Sequence, residues 1–262
     1  MDKAMNHTFH WVLDVGNSRT KLAQFENGEL QHVWWNESAE EHAKKVISGD
    51  LNWPESMLMA ASGALSDFWQ HWPQIWETHH PKPDRLINLK AGQDVGFSVV
   101  YKTPESIGLD RLANAAGALA VDSECHWLLI DVGTCVTIDA LENGKWVGGS
   151  IAPGIDLRLR AMYAGTHALP YPENWMTRMD EGVPLQIGND TESCLLAGAV
   201  GGVSSEINGR IEAFKKHWPH FRVALTGGDA TFLELEHTSL IFADPNLTWK
   251  GYHQILQHVV HT

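Results

Sequence analysis

Two stretches of the chain are written to one plan. HWVLDVGNSRTKLAQFENGELQHVW begins at His10, and HWLLIDVGTCVTIDALENGKW begins at His126. In each, an apolar run suited to a buried strand ends in Asp-Val-Gly, and a second run returns after a short turn. Glu-Asn-Gly then turns the chain again into a third run. Asn-Gly between alternating apolar segments is the strongest short hairpin signal, because both turn positions need positive φ. The pattern predicts strands at 9–15, 21–25 and 30–35, then at 127–132, 136–141 and 146–151. The step from Asp14 to Glu26 is twelve residues and that from Asp131 to Glu142 is eleven, so the copies tolerate a one-residue slip. A chain built this way is expected to fold as two duplicated halves.

The segments between the copies read as helical or mixed. Residues 38–47 have helix-forming composition, and 57–61 are short and apolar. Phe68, Trp69, Trp72, Ile75 and Trp76 share one helical face, with Pro73 expected to bend or restart the helix. That aromatic stripe reads as core. A helix is expected over 107–120, and another over 155–163 after Pro153-Gly154. Asn189 is expected to cap a helix whose stripe Leu195, Ala199, Val203, Ile207, Ile211 and Phe214 runs down one face. Residues 223–225 read as a strand before Thr226-Gly227-Gly228-Asp229, and 253–260 as a last helix.

With 262 residues, 44% of them hydrophobic, the chain suits one large or two modest domains. A net charge of -13 without a Lys/Arg block argues against nucleic acid or an anionic membrane as partner. No apolar run is long enough to span a bilayer, and the N-terminal stretch lacks a signal-peptide core. Three cysteines without a CxxC pair read as reduced thiols, so the expected compartment is the cytoplasm. The fifteen histidines show no zinc-type spacing.

A strand that ends in Asp and turns on Gly brings a carboxylate next to backbone N–H groups, which form an anion-binding concavity. Asp14 could hold a cation, directly or through water, while Asn17, Ser18 and Lys21 face phosphate oxygens. Asp131 and Thr134 could do the same from the second copy. One such turn alone reads as an ordinary hairpin. Two in matching context favour a nucleotide site of a kind other than GxxxxGK[ST] or GxGxxG, both of which are missing. Asp110, in the first turn of the helix expected over 107–120, stands where a helix N-terminus favours negative charge and is read as a proton acceptor. Arg111 points about 100° away from it on the helix.

Six motifs in order carry a resemblance. They are Asp14-Val15-Gly16-Asn17 with Lys21, Gly108-Leu109-Asp110-Arg111, Asp131-Val132-Gly133-Thr134, Gly148-Gly149 with Pro153-Gly154, Gly188-Asn189-Asp190-Thr191, and Thr226-Gly227-Gly228-Asp229. Over about residues 10–250 the chain resembles the type III pantothenate kinases of the acetate and sugar kinase, Hsc70 and actin superfamily. The resemblance implies an α/β fold of two duplicated ribonuclease-H-like, actin-like halves, at 9–112 and 113–262, with a nucleotide cleft between them. It implies transfer of the γ-phosphoryl group of ATP to pantothenate, giving 4'-phosphopantothenate in the first step of coenzyme A synthesis. The first motif departs from the usual Gly-Asn-Thr by carrying Ser18, which keeps the hydroxyl.

By the same resemblance Asp14, Gly16, Asn17, Ser18, Arg19, Thr20 and Lys21 belong to the ATP site, with Asp14 organising Mg²⁺, directly or through water. Gly133, Thr134, Gly227 and Gly228 complete it. Asp131 matches the position that binds a monovalent cation, K⁺ or NH₄⁺. Tyr101, Gly108, Leu109, Asp110, Arg111 and Thr191 match substrate-contacting positions, with Asp110 as general base and Arg111 near the substrate carboxylate. Thr191 also reads as part of a helix cap, and Gly227 with Gly228 as a plain turn. A homodimer is implied as well. Two alternatives stand beside the kinase: an accessory transcription regulator on the same fold, and a kinase of the same superfamily with another substrate.

Overall fold

The computed structural model describes residues 9–16, 19–180, 182, 186–236 and 241–262. They form two compact units. The first runs through Val121 and regains Leu247–Thr262, and the second is Asp122–Asn246. This differs from the expected halves of 9–112 and 113–262. The helix that carries Asp110 stays whole in the first unit, and the C-terminal helix returns to it.

The first unit opens with β1 (Phe9–Val15), β2 (Thr20–Glu26) and β3 (Glu29–Trp35) as an antiparallel meander. Helix α1 (Glu37–Ile47), β4 (Ser56–Ala61), α2 (Asp67–His79), β5 (Leu86–Leu89) and the short β6 (Ser98–Val99) follow, then α3 (Leu109–Val121). The sheet order is β3-β2-β1-β4-β5, with β4 parallel to both β1 and β5. The second unit repeats the scheme with β7 (Trp127–Val132), β8 (Cys135–Glu142) and β9 (Lys145–Pro153). Helices α4 (Ile155–Gly165), α5 (Trp175–Asp180), α6 (Thr191–Leu196) and α7 (Gly202–His217) precede β10 (Arg222–Thr226) and β11 (Ile241–Ala243). Its strands are ordered β9-β8-β7-β10-β11, with β10 parallel to β7 and β11. Helix α8 (Leu247–His261) ends the chain.

The repeat holds to the residue. Asn27 and Gly28 take φ of 52° and 85°, and Asn143 and Gly144 take 49° and 73°, the paired positive φ of a two-residue hairpin. Three residues past each glycine the register slips once, leaving Gln31 and Val147 as the extra residues of matching bulges. The one-residue difference lies in the first turn. Four residues separate the paired Val15 and Thr20, and three separate Val132 and Val136.

In the first unit Trp11, Leu13 and Val15 pack with Ala39, Ala43 and Val46 of α1 and Trp69, Trp72 and Trp76 of α2, as the stripe predicts. Pro73 sits inside a continuous α2 rather than restarting it. Three buried indoles on one face outweigh the roughly 3 kcal/mol that an interior proline costs. The stripe from Leu195 steps by four residues, which overshoots the 3.6-residue helical turn. A π-helical turn at Ala197–Gly201, between α6 and α7, absorbs the excess and keeps Leu195, Ala199, Val203, Ile207 and Ile211 in one core. The cap of α6 is Asp190 rather than Asn189, in a capping box with Ser193.

Helix α8 covers the opposite face of the first sheet, reaching β1, β4 and β5, and packs along α3. Gly117 and Gly251 allow the approach: a Cβ at Gly251 would run into the Ala113 carbonyl, and one at Gly117 would meet the Leu247 carbonyl at 2.7 Å. On the same face His253 is buried, stacks on Phe25 and lies 3.0 Å from His10. Burial holds it neutral, lowering its pKa to about 4. Among the described residues, no helix is long and apolar enough to cross a membrane.

Candidate active site

In the first unit the end of β1 delivers Asp14. Strand pairing sets Asp14 opposite Lys21 on β2, so the two side chains share a face, and Lys21 Nζ lies 3.7 Å from Asp14 Oδ2. Helix α8 adds Tyr252, whose hydroxyl donates to Asp14. Burial pushes the Asp14 carboxyl up to about 6; Lys21 pulls it down, the Asp110 charge raises it further, and the Lys21 and Tyr252 hydrogen bonds oppose. The sensitivity of Asp14 to Asp110 puts the two carboxylates in one electrostatic site.

Asp110 stands exposed in the first turn of α3, two residues into the helix. Its Oδ1 accepts the Arg111 backbone N–H at 2.9 Å, which orients the carboxylate. Gly108 leaves room for it, since a Cβ there would come within 2.6 Å of Asp110 Oδ1. The Gly108 carbonyl accepts the first helical N–H groups, from Arg111 and Leu112. Leu109 and Arg111 are buried, Arg111 at 5% exposure, so its guanidinium sits in a largely dry environment. Tyr101 is exposed on the segment before the 3₁₀ turn Pro104–Ser106.

At the β1–β2 turn the Gly16 N–H donates to the Arg19 carbonyl at 3.0 Å. Thr20 exchanges hydrogen bonds with Asn36, donating its N–H to Oδ1 and accepting the Asn36 N–H. Arg19 is exposed with its guanidinium 5.5 Å from the Trp35 ring. Asn17 and Ser18 lie outside the described residues.

The second unit gathers three segments at the end of β7. The β7–β8 turn closes through the Gly133 N–H and the Cys135 carbonyl, leaving Thr134 exposed. Gly154 donates to the Thr134 carbonyl at 3.0 Å and lies too close to the Gly133 carbonyl for any Cβ. This holds the N-terminus of α4, which has no side-chain cap, against the turn. Asp229 N–H donates to the Val132 carbonyl, and Gly227, at φ 98°, brings the turn after β10 onto β7. A side chain at Gly227 would meet Asp131 Oδ1 at 2.6 Å, whereas a Cβ at Gly228 faces open space. Gly227 is therefore required by the turn itself. Thr191 is exposed at the start of α6, and Asp190 does the capping. It lines a cavity of about 510 Å³ with Met162, Leu169, Asn189, Cys194 and Leu195.

Tyr252 and Trp249 were not readable as site residues. They lie on the opening turns of α8, ahead of the 253–260 segment expected to be helical, and only the return of that helix to β1 brings them to Asp14 and Lys21.

A family model described as type III pantothenate kinase matches residues 11–213. The chain belongs to the type III pantothenate kinase family. The type III pantothenate kinase of Flavobacterium psychrophilum is 38% identical over 251 residues, covering 94% of this chain and 98% of its own length. Among solved structures, a Baf family transcriptional activator from Campylobacter jejuni matches with a TM-score of 0.58 at 19% identity, over 96% of this chain and 100% of its own. A ROK family glucokinase from Streptomyces griseus in complex with glucose and AMPPNP matches at 0.52 and 11% identity, over 97% of this chain and 100% of its own. At such identities the structures speak to fold alone: α/β, with the two-unit ribonuclease-H-like, actin-like architecture. The type III pantothenate kinase match reaches into both units, covering both Asp-Val-Gly turns and Asp110.

Proposed function

We propose that the chain transfers the γ-phosphoryl group of ATP to the primary hydroxyl of pantothenate, giving 4'-phosphopantothenate and ADP at the entry to coenzyme A synthesis. Beyond family membership, the observation that carries the reading is the first-unit cluster: an exposed Asp110, oriented by a backbone N–H, in electrostatic reach of Asp14, which itself pairs with Lys21. Phosphoryl transfer asks a protein mainly for positioning and charge stabilisation. The pantothenate hydroxyl oxygen bonds to the γ-phosphorus as the bond to the β,γ-bridging oxygen breaks, and the hydroxyl proton passes to Asp110. Lys21 faces the phosphate oxygens, joined by Gly16, Asn17, Ser18, Arg19 and Thr20 of the same turn. In the second unit, Thr134, exposed on the turn that Gly133 closes, and the α4 N-terminus, which has no side-chain cap, offer donors to an anion. Gly227 and Gly228 shape the turn next to them. Tyr101, Gly108, Leu109, Arg111 and Thr191 are the remaining substrate contacts in this reading. Arg111 is buried, so a substrate carboxylate meeting it would pair in a dry site, where such a bond is strong.

The donor sets fit the cations implied. Among the described residues no group of three or more His, Cys, Asp or Glu is placed to hold a metal. That suits Mg²⁺, which takes one or two carboxylates together with substrate phosphates. Asp14 would hold it, directly or through water, and the ion would neutralise phosphate charge. Asp131, an oxygen donor beside the Gly227 turn, would hold K⁺ or NH₄⁺. A homodimer belongs to the same reading, supported by the exposed apolar side chains Ile151, Leu157, Tyr163 and Ile187 of the second unit. So does a cytoplasmic location.

Labelled ATP offered with a panel of acceptors tests the proposal. Pantothenate should be phosphorylated, faster in K⁺ than in Na⁺, and Asp110→Asn should lower kcat by roughly 10²–10⁴-fold while ATP still binds. Transfer to a sugar or polyphosphate instead would replace the substrate. No transfer at all, with binding to a protein or DNA, would favour the regulator, against which the net charge of -13 already weighs.

A further inference from the structure

Lys21 is bracketed by aromatic faces. Its ammonium lies 5.1 Å from the ring centroid of Trp35 and 5.7 Å from that of Trp249, besides the 3.7 Å to Asp14. The two rings come from different places. Trp35 is the cross-strand neighbour of Lys21 on β3, and Trp249 stands in the first turn of α8. Trp249 is 8% exposed, whereas Trp35 is 43% exposed, an unusual position for an indole that packs no core. Trp35 also carries the Arg19 guanidinium at 5.5 Å, so it gathers both cations of the β1–β2 turn.

A lysine ammonium is a compact charge on a flexible four-carbon stem rich in rotamers. A single carboxylate would draw it down onto Asp14. An indole face attracts the cation without neutralising it and without competing for its N–H donors. Two such faces restrict where the ammonium can go and leave its donors for oxygen ligands.

We propose that Trp35 and Trp249 are positioning residues for phosphoryl transfer: an indole from β3 and an indole from the C-terminal helix fix the Lys21 ammonium where it meets a phosphate. The inference rests on the reading of Lys21 as a phosphate ligand. It makes α8 part of the machinery at the phosphate end of β1, and it accounts for an indole left open to solvent at Trp35.

Steady-state kinetics of the full chain, with direct binding of a non-hydrolysable ATP analogue, test it. Trp35→Leu and Trp249→Leu should each weaken ATP and analogue affinity roughly 2- to 5-fold, the worth of one cation–π contact, with the KM for pantothenate unchanged. Trp35→Phe and Trp249→Phe, which keep an aromatic face, should recover most of the loss. In a Lys21→Met background Trp249→Leu should cost nothing further, and Trp35→Leu only what its contact with Arg19 contributes. An equal loss in that background, phenylalanine no better than leucine, or unchanged ATP affinity in both leucine variants would overturn the proposal. If Lys21→Met itself leaves ATP affinity intact, the phosphate role of Lys21 falls first and the positioning role with it. Trp35, being exposed, keeps the test open should Trp249→Leu fail to fold.

Discussion

Asp14 shows what one residue can and cannot reveal in sequence. Its partner Lys21 follows from strand register alone, because a hairpin that pairs Val15 with Thr20 must pair Asp14 with Lys21. Its buried setting, its hydrogen bond from Tyr252 and its nearness to Asp110 depend on two helices that arrive much later in the chain. Burial raises its pKa from 3.8 to about 6, so between those values the folded chain takes up a proton that the unfolded chain does not. Stability therefore falls as pH rises through that window, and above it the ionised carboxylate costs about 3 kcal/mol. In metal-free buffer at pH 8, Asp14→Asn should melt several degrees above the native chain, and the gap should close near pH 4. Catalysis should drop at least about 100-fold in the same variant, a stability–activity trade-off of the ordinary kind. Thermal melts across pH with parallel assays decide it; an Asn variant less stable at pH 8 than the native chain would contradict the burial argument.

At the level of elements, α3 and α8 pack with backbone-close approach in the first unit, and that packing sets the site. Asp110 rides on α3, Trp249 and Tyr252 ride on α8, and Gly251 lets the two helices close. Asn114 of α3 also accepts the Thr248 hydroxyl at 2.7 Å. Gly251→Ala places a methyl against the Ala113 carbonyl, so the helices must separate. A loss at the upper end of the roughly 1–3 kcal/mol typical of overpacking is expected, read from urea unfolding, with a drop in kcat/KM beyond what lost stability explains. A variant as stable and active as the native chain would show that the two helices need not touch so closely. Most elements were legible because their periodicity was strong. The short β5, β6 and β11 were not, and the Asn189 cap was mistaken because Asn, Asp and Thr stand side by side and only geometry selects Asp190. Pro73 does not restart the helix for a related reason: local preference disfavours an interior proline, and burial of three indoles overrides it.

On the scale of the whole molecule, the chain crosses from the first unit to the second and comes back. Removing 247–262 takes away the buried side chains Leu247, Trp249, Tyr252, His253, Ile255 and Leu256. At about 1.5–3 kcal/mol for each large apolar group, that loss matches the typical total stability of a domain, roughly 5–15 kcal/mol. The second core draws every member from its own unit. Hydrogen exchange on the truncated chain should therefore show protection lost across β1 and β4 and retained across β7 and β10. Persistent protection of β1 would mean that α8 is dispensable to the first unit. What the sequence determined by itself was local and repeated: strands, Asn-Gly turns and Asp-Val-Gly ends, each set by steric and burial preferences acting over a few neighbouring residues. Tertiary structure decided where the last helix goes, which unit owns α3, and that Trp249 reaches Lys21. Those contacts join residues far apart in the chain, and no short-range pattern encodes them.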